Sequence, residues 1–188
     1  MATPDPVTAA LAVRSPRQLA RALRVLSRLA LDQDEHVEVA RRALNRRLPE
    51  LVRKVVEHDT DDELREALRL AVARFRPAHG AISALDELPV NTPFVELAIE
   101  VLLTAAVALE AVVTDDPDRC LPDLARTHNN LCVALQMQGE RDEAAAAGRR
   151  AVSTYRSLVE RNGDAHLPGL ASALNNLQIA LTDLGRVS

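Results

Sequence analysis

The stretch Leu121–Leu131, LPDLARTHNNL, returns forty-six residues later as Leu167–Leu177, LPGLASALNNL. Aligned without a gap over 117–139 and 163–185, 11 of 23 positions are identical. Leu121, Pro122, Leu124, Ala125, Asn129, Asn130, Leu131, Ala134, Leu135 and Gly139 recur with the same spacing. Self-similarity at a fixed period is the signature of stacked helix–turn–helix units, because one such unit cannot bury both of its sides alone. The same offset carried upstream sets Ala98, Val101, Ala105 and Leu109 opposite Ala144, Ala147, Ala151 and Tyr155, so the segment from Pro93 reads as the second helix of an earlier, degenerate unit.

Working outward, helix signals follow one another with no convincing strand. Ser15-Pro16 makes an N-cap and first-turn pair ahead of Leu19, Leu23 and Leu26 at helical spacing. Asp32 or Asp34 starts a helix to about Leu48, and Pro49 is either a kink or the first residue of a further helix through Val56. Thr60 with Glu63 has the form of a capping box for a helix ending near Pro77. Residues 77–93, with four prolines or glycines around the short helical candidate Ala81–Leu88, read as an irregular linker. Thr92-Pro93 then opens a long helix to about Val113, followed by helices from Pro122 to Gln138, Glu140 to Arg161 and Pro168 to Leu184. Gly139, Asn162-Gly163 and Gly185 mark the stops. The expected organisation is all-α: a helical N-terminal region over 1–76, the linker, and a repeat array over 94–188 comprising a partial repeat 94–116, a full repeat 117–162 and a half repeat 163–188.

Composition agrees with helices. Apolar residues form 47% of the 188-residue chain and aromatics only 2%, so the core is built from Leu, Val and Ala on closely spaced elements rather than from the aromatic and β-branched residues of a sandwich. A chain of this length buries about 70% of its unfolded surface without staples, and Cys120 and Cys132 do not make a disulfide framework or a metal site by themselves. The start, MATPDPVTAA, lacks a secretory pattern, which sets a cytoplasmic expectation. Glu96, Glu100 and Glu110 argue against a membrane span over Phe94–Val113. The net charge of −4 divides unevenly: residues 1–76 carry fifteen Arg or Lys against twelve Asp or Glu, and residues 77–188 eight against fifteen.

The run Ala125–Val152, ARTHNNLCVALQMQGERDEAAAAGRRAV, resembles the tetratricopeptide repeat family in the long-repeat form of kinesin light chains and of bacterial, including actinobacterial, signalling proteins. His128, Leu131, Cys132 and Leu135 match the first-helix packing positions, Gly139 the turn, and Ala144, Gly148 and Ala151 the second-helix positions. The resemblance covers about 94–188. It implies a short α-solenoid whose first helices line a concave groove for an extended peptide or partner helix. The protein would be a scaffold or adaptor without catalysis or cofactor. Carried onto this chain, the groove positions are Arg126, Asn129, Asn130, Val133, Gln136, Ser172, Asn175, Asn176 and Ile179. Side-chain amides suit that task because each offers donors and an acceptor to a peptide backbone of any sequence. The groove role falls first to Asn129 and Asn175; the competing role, tying adjacent helices together, takes one asparagine of each pair.

Other partners have weaker signals. Arg14, Arg17, Arg21, Arg24 and Arg28 form a basic stripe that a nucleic acid, an acidic partner or an anionic membrane surface could use, but no aromatic residue or groove-reading motif accompanies it, and a solvated helix face explains it better. Arg41, Arg42, Arg46 and Arg47 can pair locally with Glu35, Glu38 and Glu50. His36, His58, His79, His128 and His166 show no metal spacing, and no glycine-rich phosphate loop follows a strand. Leu177, Ile179, Leu181 and Leu184 lack an expected covering helix, which truncation from a larger signalling or conflict-system regulator, self-association through the open end, or a terminal cap would each explain.

Overall fold

The computed structural model describes residues 11, 15–29, 34–58 and 60–185, and every regular element among them is helical. None of these helices is long and apolar enough to cross a membrane. The chain divides into two compact units, 1–89 and 90–188.

In the first unit, α1 (Pro16–Leu29), α2 (Asp34–Glu57), α3 (Asp62–Phe75) and the short α4 (Ala78–Ser83) enclose one core. Helix α1 begins as the Ser15-Pro16 pair predicts, with the Leu19 amide donating to the Ser15 carbonyl at 3.0 Å. Leu19 and Leu23 are buried, while Arg17, Arg21 and Arg24 on the other side are exposed. Arg14 lies outside the described residues. The expected capping box is corrected: Asp61, not Thr60, caps α3, its carboxylate accepting from the Leu64 amide at 2.9 Å. A carboxylate facing the exposed N–H groups of a first turn also suits the helix dipole. Helix α3 closes on Arg76, held left-handed at a φ of 46° while its amide reaches the Val72 carbonyl.

Pro49 neither breaks nor starts a helix; α2 runs through it. Proline has no N–H for the carbonyl four residues back, so the Asn45 carbonyl loses its ordinary partner. That weakened turn is where α4 packs. The Gly80 amide donates to Asn45 Oδ1 at 3.0 Å, and a Cβ on Gly80 would stand 2.9 Å from Asn45 Cα and 3.0 Å from the Asn45 carbonyl oxygen. Gly80, Ala81 and Ala84 are buried in the first unit, so the earlier part of the expected 77–93 linker belongs to that core, while the division at Pro89/Val90 falls inside the expected boundary segment. The proline and glycine content that suggested irregularity serves a close helix crossing instead.

In the second unit, a 3₁₀ turn at Thr92–Phe94 leads into α5 (Val95–Val112), α6 (Pro117–Gln138), α7 (Arg141–Asn162), a second 3₁₀ turn at Gly163–His166 and α8 (Leu167–Gly185). Helix α6 starts five residues before the expected Pro122, because Asp116 caps it by accepting from the Arg119 amide at 3.3 Å. It stops at Gly139, whose φ of 82° is open to glycine at little cost. Each helix packs on the next, and α6 also meets α8. Between α5 and α7 the forty-six-residue correspondence holds in burial at three of its four positions: Ala98 and Ala144, Val101 and Ala147, and Ala105 and Ala151 are all buried, while Tyr155, opposite the buried Leu109, is half-buried. Small residues bring the axes close. A Cβ on Gly148 of α7 would lie 3.2 Å from Cys132 Sγ on α6 and 3.1 Å from Leu177 Cδ1 on α8.

Candidate protein-interaction site

The amide-bearing residues lie where α6 meets α8. On α6, Arg126, Asn129, Asn130, Val133 and Gln136 are all half-buried; on α8, Ser172, Asn175 and Ile179 are exposed and Asn176 is half-buried. Two hydrogen bonds join the helices. Asn176 Nδ2 donates to Asn129 Oδ1 at 3.0 Å, and Gln136 Nε2 donates to the Asn176 carbonyl at 2.9 Å. The tie is therefore made by the first asparagine of one pair and the second of the other. It uses the oxygen of Asn129 and one hydrogen of Asn176, and leaves the Asn129 amide hydrogens and the Asn176 oxygen for other bonds.

Asn175 repeats the position of Asn129 one unit later and is exposed. With Gln178 and Thr182 it edges an open hollow of about 780 Å³ floored by Leu174, Leu177 and Leu181. Arg126 points to Asp123 on its own helix, Nη2 to Oδ1 3.0 Å, a pair about 40% exposed on each side and so of small energetic weight. Val133 is half-buried and Ile179 is 44% exposed, giving the α8 end of the face an apolar component. The face offers amides, hydroxyls and aliphatic side chains, groups that can hydrogen-bond to a peptide backbone and pack on its side chains.

Beneath this face is a polar cluster that the repeat pattern did not reveal. His128, 2% exposed, brings Nε2 to 3.2 Å from Glu110 Oε1 of α5, while Arg150 of α7 stands 3.9 Å from the same oxygen. Nδ1 is buried without a hydrogen-bond partner. Burial pushes the imidazole below its ordinary pKa, outweighing Glu110, and Arg150 adds to the depression. The neutral ring donates from Nε2 and leaves Nδ1 as the bare acceptor. A second proton there would find no acceptor. The sequence places His128 on the packing stripe, but its partners on α5 and α7 are eighteen and twenty-two residues away and no local spacing announces them.

Comparison with family models, with curated proteins and with solved structures finds no match for this chain. Cys132 carries no sign of a nucleophile: it is fully buried, Gln136 Nε2 contacts its sulfur at 3.1 Å, and burial pushes its thiol above the ordinary value, which disfavours the reactive thiolate. In the first unit, Arg41 and Arg42 both meet Glu38, and Arg47 meets Glu50, as local pairing predicts. Glu35 and His36 have side chains outside the described set.

Also missed by sequence reading is the flank of α7 beside the hollow. Arg149, Ser153, Arg156 and Glu160 border a groove of about 450 Å³ whose floor is Val152, Leu174 and Leu177. The repeat offset could have found it, since it maps Arg156 onto Glu110 and Leu174 onto His128.

Proposed function

We propose that this chain is a cytoplasmic protein-interaction adaptor. Its second unit acts as a short tetratricopeptide-like array that captures a peptide or partner helix on the α6–α8 face, without catalysis. The observation that carries this reading is the amide seam: Asn129, Gln136 and Asn176 interlock across two helices through bonds that span 47 and 40 residues, and Asn175 and Ile179 are exposed beside them. Consecutive packing of α5 to α8, contact between α6 and α8, and burial of the corresponding small positions of α5 and α7 support a solenoid-like arrangement. A backbone-reading amide face suits extended ligands of varied sequence, with Val133 and Ile179 selecting for an apolar side chain.

Partner capture from the native cell with the wild type and with Asn175→Ala/Ile179→Ala tests this. Both side chains are exposed, so the variant keeps its helical circular dichroism. The specific partner set is expected to be lost; an unchanged set on a folded variant would sink the proposal. The nucleic-acid reading has less support, because Arg24 of the basic stripe is engaged by Glu63 of α3 at 2.5 Å.

A further inference from the structure

The repeat allows the open groove of α7 and α8 to be compared with its closed counterpart in the same molecule. In the closed unit, α7 packs on α6 and brings Arg150 to Glu110 of α5, and His128 and Leu135 are 2% and 8% exposed. Their equivalents on α8, Leu174 and Leu181, are 42% and 40% exposed. Val152 and Leu177 complete the apolar floor between α7 and α8. Forty-six residues on, positions of the α6–α7 interface thus recur on α8 as an apolar surface that stands partly open among the described residues.

Charge distinguishes the two grooves. At the closed one, Glu110 of the floor helix faces Arg150 of the covering helix. The position equivalent to Glu110 is Arg156. Arg156 is exposed at the groove edge, and Arg149 stands two turns before it on the same edge. Neither makes an ion pair among the described residues. Glu160, one turn beyond Arg156, limits the basic rim to one end and gives the groove a polarity. A helix that covers this groove as α7 covers the other must offer small residues to Leu174 and Leu177, and a carboxylate where α7 has Arg150.

We propose that the α7–α8 groove is a second docking site, which takes an amphipathic helix of a partner protein with a small-residue contact stripe and an acidic residue set against Arg156. The inference rests on the repeat and on the charge reversal at Arg156; the groove shares Leu174 and Leu177 with the hollow that Asn175 edges, so it is Arg156 that separates the two readings. The probe is the 22-residue α7 sequence itself, Arg141–Asn162, made as a peptide with Arg150→Glu and compared with the unaltered peptide for binding to the full chain. The acidic peptide is expected to bind about tenfold tighter, a ratio that falls with added salt, as for one charge pair turned from repulsion to attraction. Arg156→Glu in the protein is expected to reverse the preference, and Leu174→Asp to abolish binding of both peptides, each with unchanged helical circular dichroism. Equal affinity for the two peptides, no binding of either, or no effect of Arg156→Glu would overturn the proposal. So would a wild-type dimer in sedimentation that Arg156→Glu dissociates, since the occupant would then be a second copy. Arg156→Glu leaves capture at the α6–α8 face intact, and Asn175→Ala/Ile179→Ala leaves Arg156 in place, so the two readings fail separately.

Discussion

His128 is where single-residue chemistry matters most. It takes a packing position between three helices, yet its ring carries one satisfied nitrogen and one bare one. Its folded-state pKa lies below the ordinary imidazole value, because burial penalises the charged form more than Glu110 favours it. The unfolded chain therefore takes up the proton at higher pH than the folded chain does. Stability from the buried neutral ring is complete above the unfolded pKa of about 6.5 and is lost as pH falls towards and through the depressed folded value. The lowered Glu66 and Glu87 values lose their contribution only in the carboxylate range, at still lower pH. The urea midpoint is expected to drop between about pH 7.5 and pH 5.5 in the wild type, and to drop much less in His128→Leu, which copies the leucine at the equivalent position 174. Equal pH dependence of the two proteins would refute this assignment. At the same scale, the asparagine tie shows how two identical dipeptides divide their labour: Asn129 and Asn176 spend one bond on each other, and Asn175 keeps its amide outward.

Elements in this protein are joined by small residues and by backbone groups that a neighbour meets directly. The α2–α4 crossing is the case in which a glycine meets a neighbour's backbone. Pro49 removes the donor for the Asn45 carbonyl, and Gly80 then approaches the Asn45 backbone more closely than any side chain would allow. A methyl at this position has only backbone to push against, so it cannot be relieved by a rotamer change. Gly80→Ala is expected to lower stability by about 1–3 kcal/mol, the usual cost of overpacking, even though alanine is the better helix former. Chemical denaturation reads this directly, and an unchanged or raised midpoint would show that α4 does not sit on Asn45. Gly148 has a gentler version of the same role. Its neighbours there are side-chain atoms, Cys132 Sγ and Leu177 Cδ1, which can yield by a few tenths of an ångström, and Leu177 Cβ at 3.2 Å, which is fixed to its backbone.

As a whole, the molecule has two cores. Leu23, Leu44, Leu68 and Phe75 are buried in the first unit, and Leu97, Leu102, Ala151 and Leu158 in the second. Between Ser83 and Thr92 the chain has turns and extended residues, several of them partly exposed. Limited proteolysis is expected to cut there first and release two fragments, each with helical circular dichroism and its own cooperative unfolding transition. Loss of helicity from both fragments on cleavage would show that neither core stands alone. The proposed functions are confined to the second unit, where helices from successive repeats present faces of the same kind at different stages of cover.

The all-helical character, the caps at Ser15 and Gly139, and the burial pattern at the repeat offset were legible from residue types and spacing, because they depend on local backbone preference and on the 3.6-residue period. The placing of Arg126, Asn129, Asn130, Val133 and Gln136 on one side of α6 followed from the same period. Sequence alone could not decide that Asn129 pairs with Asn176, that Glu110 and Arg150 attend His128, or that residues 78–84 join the first core. These depend on which faces of distant helices meet, and hydrogen bonds across forty-seven residues leave no periodic trace. Even Pro49 and Gly80, which look like breaks in isolation, make sense only together: the carbonyl that one leaves without its donor lies where the other packs.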